Sequence, residues 1–179
     1  MREIEVKARI RDLDKLEKVL VEKGITLGEK LTQHDVVYEE PGNKDNEAGA
    51  NWLRIRTENH KTVYFTLKRS VVGHLDSIEH ETIVDDAKEL EEIIKLLGYE
   101  LYSDITKIRR KAKIGDIEIC IDSVPSLGDF IEAELMMDHQ SDHDIVVAEL
   151  WKLLESFGLN RADEVHEGYD VLERKQRGL

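Results

Sequence analysis

Glu3-Ile4-Glu5-Val6-Lys7 belongs to an alternating stretch, residues 2–10, in which ionic and aliphatic side chains take turns. Successive side chains of a β-strand point to opposite faces of a sheet, so this pattern predicts a strand with one charged and one apolar face. Glu and Lys are poor strand formers, and a strand this charged needs a reason beyond propensity. Two reasons are open at this point: a solvated sheet face, or a site for anions and metal ions that is built on strands.

The composition of the chain limits the class of protein. Its 179 residues include 26 Lys and Arg against 39 Asp and Glu, which gives a formal net charge of −13. Non-specific nucleic-acid binding depends on a basic surface, so we expect no nucleic-acid partner. Cys120 is the one cysteine, which excludes a disulfide framework, and no apolar run reaches membrane-spanning length. We therefore expect a cytoplasmic protein without membrane contact, folded as a single domain over residues 1–179.

The spacing of apolar residues predicts three amphipathic helices, a short final helix and a series of strands. The helices cover residues 12–23, 86–97 and 141–157, with the short helix around 167–175. The strand-like segments are residues 2–10, 26–39, 51–58, 61–70, 78–84, 99–113, 115–123 and 128–137. Most of these strands follow one another as hairpins. The order predicts an α+β fold, in which an eight-stranded antiparallel sheet closes into a β-barrel or tunnel with helices packed on its apolar outside.

Charged residues of several further strands share a face in the same way as Glu3, Glu5 and Lys7. The acids on such faces are Glu3, Glu5, Glu79, Glu81, Asp122, Glu132 and Glu134. The bases are Lys7, Arg54, Arg56, Lys68, Lys107 and Arg109. If these faces meet inside a closed sheet, burying them is costly unless the charges are compensated. Carboxylates bind hard cations such as Mg²⁺ or Mn²⁺, and arginine forks match phosphate oxygens, so a polyphosphate with its metal ions would satisfy both sets.

Six groups of these residues follow one another in a characteristic order. They are Glu3-x-Glu5-x-Lys7, Leu53-Arg54-Ile55-Arg56, Thr66-Leu67-Lys68, Glu79-x-Glu81, Lys107-x-Arg109, and Asp122 followed by Leu127-Gly128-x-Phe130-x-Glu132-x-Glu134. In this order they resemble the CYTH superfamily, also called the triphosphate tunnel metalloenzymes, to which class IV (CyaB-type) adenylyl cyclases and thiamine triphosphatase belong. The resemblance runs from residue 3 to about residue 137.

The resemblance implies an eight-stranded tunnel that holds divalent Mg²⁺ or Mn²⁺ through its acids and a triphosphate through its bases. Position by position, it implies metal binding by Glu3, Glu5, Asp122, Glu132 and Glu134, together with Glu79 or Glu81. It implies triphosphate binding by Lys7, Arg54, Arg56, Lys68, Lys107 and Arg109. The expected partner is a nucleoside triphosphate or inorganic polyphosphate, and a homodimer stays an open alternative. The resemblance does not identify a catalytic residue.

Three functions stay open at the level of the sequence. The segments 33–38 and 127–130 and the Gly98-Tyr99 pair are more similar to the class IV cyclases, which favours conversion of ATP to cyclic AMP and pyrophosphate. The chain departs from that branch at Gly168-Tyr169, where a Ser-Tyr pair is usual. The lysine that some phosphatase members carry nearby has no clear counterpart, because Lys175 lies too far along. The alternatives are a tripolyphosphatase or thiamine triphosphatase that hydrolyses the terminal phosphate, and a non-catalytic polyphosphate- or nucleotide-binding module.

Overall fold

The fold is built on one antiparallel sheet that closes on itself, and the computed structural model describes residues 2–43, 48–71, 75–137 and 142–178. Eight strands form the closed sheet: β1 (Arg2–Arg9), β2 (Leu31–Glu39), β3 (Asn51–Glu58), β4 (Thr62–Ser70), β5 (Asp76–Val84), β6 (Glu100–Ile114), β7 (Ile117–Val124) and β8 (Gly128–Met137). They pair in the order β5, β4, β3, β2, β6, β7, β8, β1, and β1 pairs again with β5. The predicted eight-stranded antiparallel barrel is thereby confirmed.

Helices cover the outside of the barrel, as the apolar faces of the strands require. They are α1 (Leu13–Glu22), α2 (Ala87–Leu96), α3 (His143–Ser156) and α4 (Tyr169–Arg177). Helices α1 and α3 pack on the aliphatic face of β1 and of its neighbours β7 and β8, and α2 packs over β2 and β3. The carboxylates of Asp12 and Asp86 accept hydrogen bonds from backbone N–H groups of the first turns of α1 and α2, which fixes where both helices begin. No helix among the described residues combines the length and the apolar character needed to cross a membrane.

Helix α4 takes a different position from the other three. Its first residue, Tyr169, packs edge-on against Phe130 with ring centroids 5.1 Å apart, and it also contacts Ile105. Phe130 lies on the same face of β8 as Glu132 and Glu134, which is the inner face of the barrel. The start of α4 therefore fills one end of the interior, whereas its remaining turns pack on β6.

Two strand predictions differ from the structure. Strand β2 begins at Leu31 rather than at residue 26. The preceding segment lies beside β6 without a regular ladder: the Gly28 N–H donates to the Lys111 carbonyl at 2.8 Å, and the Arg110 guanidinium donates to the Gly28 carbonyl. A two-residue strand, β9 (Glu164–Val165), pairs with β1 and was not predicted, because two residues are too short to show alternation. Ser141, the predicted first residue of the third helix, lies outside the described residues.

Candidate active site

The interior of the barrel is a cavity of about 1030 Å³ with a mostly charged wall. Twelve of the thirteen site residues predicted from the sequence line it: Glu3, Glu5, Lys7, Arg54, Arg56, Lys68, Glu79, Glu81, Lys107, Arg109, Glu132 and Glu134. The thirteenth, Asp122, is fully buried and contacts Lys107 and Arg109. The strand alternation thus brings the predicted acids and bases together, and it directs the aliphatic residues between them to the helices.

Three carboxylates meet where β1 pairs with β8, and we call Glu3, Glu5 and Glu134 the acid cluster. Glu5 lies directly opposite Glu134 in the ladder, and carboxylate oxygens of all three residues lie within 4.8 Å of one another. One oxygen of Glu5 is buried and has no hydrogen-bond partner among the described residues, although the Lys7 ammonium lies 3.2 Å away. Oxygen ligands at this spacing suit Mg²⁺ or Mn²⁺, so the acid cluster fits the predicted cation.

Electrostatics of the acid cluster support the same interpretation. Burial, and next the neighbouring Glu132 carboxylate, raise the pKa of Glu5 to about 7. Burial is also the main cause that raises the pKa of Glu3 and of Glu134 above the ordinary range. Burial disfavours the charged form of these carboxylates, and a bound divalent cation would favour it.

Asp122 and Glu132, which the resemblance implies as metal ligands, are already paired with bases. The Arg109 guanidinium donates two hydrogen bonds to Asp122, one of them at 2.7 Å, and it also contacts Glu132. Lys107 lies 3.1 Å from Asp122, and Lys7 lies 3.2 Å from Glu132. Against the effect of burial, Lys107 and Arg109 lower the pKa of Asp122. In this structure Asp122 and Glu132 therefore balance the charge of neighbouring bases. They do not belong to the acid cluster.

The wall formed by β2 to β5 carries the other bases, and these differ in how fully neighbouring carboxylates balance their charge. Arg56 is held by Asp35, which lies opposite it, through two hydrogen bonds of 2.6 Å. Lys68 forms an ion pair with Glu79, which also lies opposite, and it lies 3.4 Å from Glu3 of the acid cluster.

Arg54 is the least compensated of these bases. Its Nη2 donates to Thr66 Oγ1 at 3.2 Å and lies 3.5 Å from a Glu81 oxygen, whose own hydrogen bond of 2.7 Å comes from Thr66. Its Nε is buried and has no hydrogen-bond partner among the described residues. A buried guanidinium donor that faces a cavity is a ready contact for an anion.

The structure adds polar residues to the cavity wall that were not among the predicted site residues, and four of them lie beside predicted ones. They are Asp35, Lys111, Glu118 and Tyr169, and all four line the cavity. The Tyr169 ring lies beneath two ammonium groups, 4.2 Å from Lys7 Nζ and 4.8 Å from Lys107 Nζ. Asp35 could have been found from its parity, because it alternates with His34 and Val36. Tyr169 gives no such signal, because its position depends on how α4 docks.

Acidic side chains outnumber basic ones around the cavity. Among the described residues that line it, eleven are Asp or Glu and eight are Lys or Arg. An interior with an excess of negative charge would repel a polyphosphate. Divalent cations on the acid cluster would offset that excess, so the charge inventory favours a metal ion beside a bound polyphosphate.

Comparison with known proteins agrees with this description. The profile of the CYTH domain family matches residues 1–169. A relative from Methanocaldococcus jannaschii, whose name proposes an adenylate cyclase, is 29% identical over 171 residues, which cover 94% of this chain and 97% of the relative.

Solved structures share the fold. A Pyrococcus horikoshii protein superposes with a TM-score of 0.81 at 24% identity, over 95% of this chain and 98% of its own. A Hippeastrum protein, described as a proposed adenylyl cyclase with a dominant triphosphatase activity, superposes with a TM-score of 0.62 at 14% identity, over 99% and 96% of the two chains.

Proposed function

Because this chain belongs to the CYTH domain family, we propose that it is a metal-dependent enzyme that converts ATP to cyclic AMP and pyrophosphate. The observation that supports this most directly is that under-compensated bases and an under-compensated acid cluster line one cavity. Arg54 presents a buried donor without a partner, and Glu5 presents a buried acceptor without a hydrogen-bond partner, among the described residues. An ATP–metal complex offers phosphate oxygens to the first and positive charge to the second.

The residues of the tunnel divide the work of binding. We expect Glu3, Glu5 and Glu134 to hold Mg²⁺ or Mn²⁺, which supplies neutralisation of the phosphate charge when bound. Six bases would bind the phosphate oxygens: Lys7, Arg54, Arg56, Lys68, Lys107 and Arg109. Glu79, Glu81, Asp122 and Glu132 orient those bases through the ion pairs described above.

Cyclisation asks little covalent chemistry of the protein. The ribose 3′-hydroxyl attacks the α-phosphorus, the bond between that phosphorus and the bridging oxygen breaks, and pyrophosphate leaves with the electron pair. The hydroxyl proton passes to a carboxylate of the tunnel or to water. Bases fixed by ion pairs stabilise the charge that grows on the leaving pyrophosphate without having to move, which is the main way in which such a site accelerates the reaction.

Hydrolysis of the terminal phosphate is the second candidate function. The same bases would bind a triphosphate that water attacks at the γ-phosphorus, and the Hippeastrum protein of similar fold is described with a dominant triphosphatase activity. Lys175, however, is not among the residues that line the cavity: it is an exposed residue of α4 and pairs with Glu167. This position gives no support to a phosphatase-type lysine, so we keep cyclisation as the proposal.

A product assay distinguishes the candidates. The purified protein is incubated with Mg²⁺ or Mn²⁺ and, separately, with ATP, tripolyphosphate or thiamine triphosphate, and the products are separated by chromatography. We expect cyclic AMP and pyrophosphate from ATP, and we expect both to be lost in Arg54→Ala but kept in Lys18→Ala, which removes an exposed lysine of α1. If the products are ADP and phosphate, or if phosphate is released from tripolyphosphate alone, the protein is a triphosphatase and not a cyclase. No product from any substrate would leave only a binding module.

A further inference from the structure

One part of the cavity wall lacks charge although it lies beside the phosphate-binding bases. Val37 on β2, Trp52 on β3 and Ser103 on β6 line the cavity near the start of α4, and we call these three residues the uncharged wall. Trp52 packs against Tyr102 and Val171, which places this wall beside α4. The interior therefore contains two chemistries, and only the charged one is explained by phosphates and metal ions.

The uncharged wall is continuous with the phosphate-binding bases. Val37 lies opposite Arg54 in the β2–β3 ladder and next to Ser103 in the β2–β6 ladder. Trp52 lies opposite Lys68 and two residues before Arg54, which is about 7 Å along a strand. A ligand whose phosphates contact Arg54 and Lys68 would thus have its next portion beside Trp52.

Ser103 indicates that a polar atom of a ligand binds at the uncharged wall. Its side chain is 94% buried and lines the cavity, and its hydroxyl has no hydrogen-bond partner among the described residues. A buried hydroxyl without a partner lowers the free energy of unfolding, because it has lost its hydrogen bonds to water. A donor or acceptor from a ligand would replace those hydrogen bonds.

Trp52 offers a fixed aromatic surface at the same place. Its ring meets Tyr102 at 4.8 Å between centroids and at 68°, and the Arg174 guanidinium lies 4.3 Å from the other ring of the pair. Arg174 also donates a hydrogen bond of 3.2 Å to the Tyr102 carbonyl, which ties this stack to α4. A ring that is held in this way loses little freedom when a planar ligand packs on it.

The size of the cavity leaves room for such a ligand. Its volume of about 1030 Å³ lies at the upper end of the range for pockets that take whole drug-sized ligands. A bare triphosphate chain is much smaller than that and has no apolar part.

We propose that the uncharged wall is a nucleoside subsite, in which the nucleobase packs against Trp52 and the Ser103 hydroxyl hydrogen-bonds to the base or ribose. This inference rests on the proposed function and locates the nucleoside part of its substrate, so that the tunnel binds a nucleoside triphosphate more tightly than inorganic tripolyphosphate. The competing place for a base is the apolar rim formed by Ile114, Ile117 and Met136, where Met136 is 43% exposed. The uncharged wall is the better place, because it combines a buried ring with an unsatisfied hydroxyl.

Binding of two ligands with Mg²⁺ tests the subsite. The ligands are 3′-deoxy-ATP, which lacks the attacking hydroxyl, and tripolyphosphate, and calorimetry gives both affinities. Stacking of a base on an aromatic side chain contributes to affinity, so we expect Trp52→Leu to weaken 3′-deoxy-ATP roughly five- to a hundred-fold and tripolyphosphate less than two-fold. Ser103→Ala should weaken 3′-deoxy-ATP by a few fold and leave tripolyphosphate unchanged. Trp52→Phe keeps an aromatic ring and should keep most of the affinity.

Tryptophan fluorescence gives a readout that a merely structural role would not move. The only other tryptophan, Trp151, is fully buried and donates its N–H to Glu164 at 2.8 Å. We therefore expect 3′-deoxy-ATP to quench the wild-type protein but not Trp52→Phe, and tripolyphosphate to quench neither.

Each contrary result has its own meaning. Equal loss of both ligands in Trp52→Leu and Ser103→Ala would make the uncharged wall structural and would overturn the subsite. Loss of 3′-deoxy-ATP binding in Met136→Ala, with Trp52→Leu unaffected, would move the base to the rim and would also overturn it. Wild-type protein that binds tripolyphosphate at least as tightly as 3′-deoxy-ATP would overturn nucleoside selection while keeping the triphosphate site. Wild-type protein that binds neither ligand would overturn the proposed function itself.

Discussion

Glu5 on β1 and Glu134 on β8 lie directly opposite each other in the ladder that joins these two strands. Like charges in opposite positions destabilise a sheet, and here Glu3 adds a third carboxylate within 4.8 Å. Neutral or oppositely charged side chains at these positions would make a more stable barrel. The arrangement is therefore best explained by a positively charged ligand. Keeping three carboxylates together for that ligand lowers the free energy of unfolding of the ligand-free protein.

The first prediction concerns Glu134→Gln. Removing one of three carboxylates should weaken Mn²⁺ binding at least ten-fold by calorimetry, because the ligand set loses a charged oxygen donor. The melting temperature of the metal-free protein should stay the same or rise, because repulsion with Glu5 is removed. Glu29→Gln, at an exposed position outside the tunnel, should change neither quantity. Unchanged Mn²⁺ affinity in Glu134→Gln would exclude this carboxylate from the metal site.

The second prediction is a pH dependence of metal binding. The pKa of Glu5 is raised from its ordinary value of 4.5 to about 7, so below pH 7 a metal ion must displace a proton from this group. Mn²⁺ affinity should therefore increase from pH 6 to pH 8 and then level off. Calorimetry at pH 6.5 in two buffers of different ionisation enthalpy should detect the released proton.

Linkage fixes the sign for stability as well. A carboxyl whose pKa is higher in the folded than in the unfolded state binds more protons when folded, so the free energy of unfolding falls as pH rises between the two values. Metal-free protein should lose thermal stability from about pH 4.5 to pH 7, and Mn²⁺ should offset the loss at the upper end. Glu5→Gln should flatten both profiles. A wild-type affinity that does not change with pH would contradict the assignment of Glu5.

The alternation of side chains in the strands predicts the face of the barrel on which each residue lies, but not its height along the axis. Glu3-x-Glu5 and Glu132-x-Glu134 were both expected inside, and both are. The register of β6, β7 and β8 then separates Asp122 from the acid cluster and pairs it with Arg109, which no single-strand pattern could show.

Residues whose position depends on tertiary packing could not be predicted from the sequence for a similar reason. Tyr169 enters the interior only because α4 docks on β6 and fills one end of the barrel. Asp35 was visible in principle, but its strand places Val37 on the same inner face, which obscures the polar pattern. An inner face that mixes charge with an apolar residue reads less clearly than the uniformly ionic face of β1.

The third prediction separates Arg54 from Arg56, which the sequence treats alike. Arg54 has an unpartnered Nε and loose contacts, so Arg54→Ala should weaken tripolyphosphate binding roughly ten- to a hundred-fold, as expected for ~1.5–3 kcal/mol, with little change in melting temperature. Arg56→Ala should also lower the melting temperature by several degrees, because it leaves the Asp35 carboxylate without its partner inside the barrel.

The thermal effect of Arg56→Ala can be tested by a second change. Against the effect of burial, Arg56 holds the pKa of Asp35 far below its ordinary range, so removing Arg56 leaves a buried carboxyl without the main group that stabilises its charge. Asp35→Asn in the Arg56→Ala background should recover part of the lost melting temperature but none of the lost affinity. Equal melting temperatures for Arg54→Ala and Arg56→Ala would show that the Arg56–Asp35 pair does not stabilise the fold.

The fourth prediction concerns the seam at which the barrel closes. Within the described part of the chain, strands β1 and β5 pair over three residues, and Arg2 donates two hydrogen bonds of 2.7 and 2.6 Å to Asp76, which is fully buried. Breaking a buried ion pair costs about 3–5 kcal/mol, and each kcal/mol lowers the melting temperature of a domain of this size by roughly 2–4 °C. Asp76→Asn should therefore lower the melting temperature by on the order of 10 °C, and it should weaken Mn²⁺ binding too, because Glu3 lies within the same three-residue pairing.

Glu92→Gln, which removes an exposed ion pair with Lys95, should shift the melting temperature by no more than about 2 °C. If differential scanning fluorimetry gives the same small shift for both variants, the Arg2–Asp76 pair is not what closes the barrel, and the backbone ladder with its aliphatic cover must suffice.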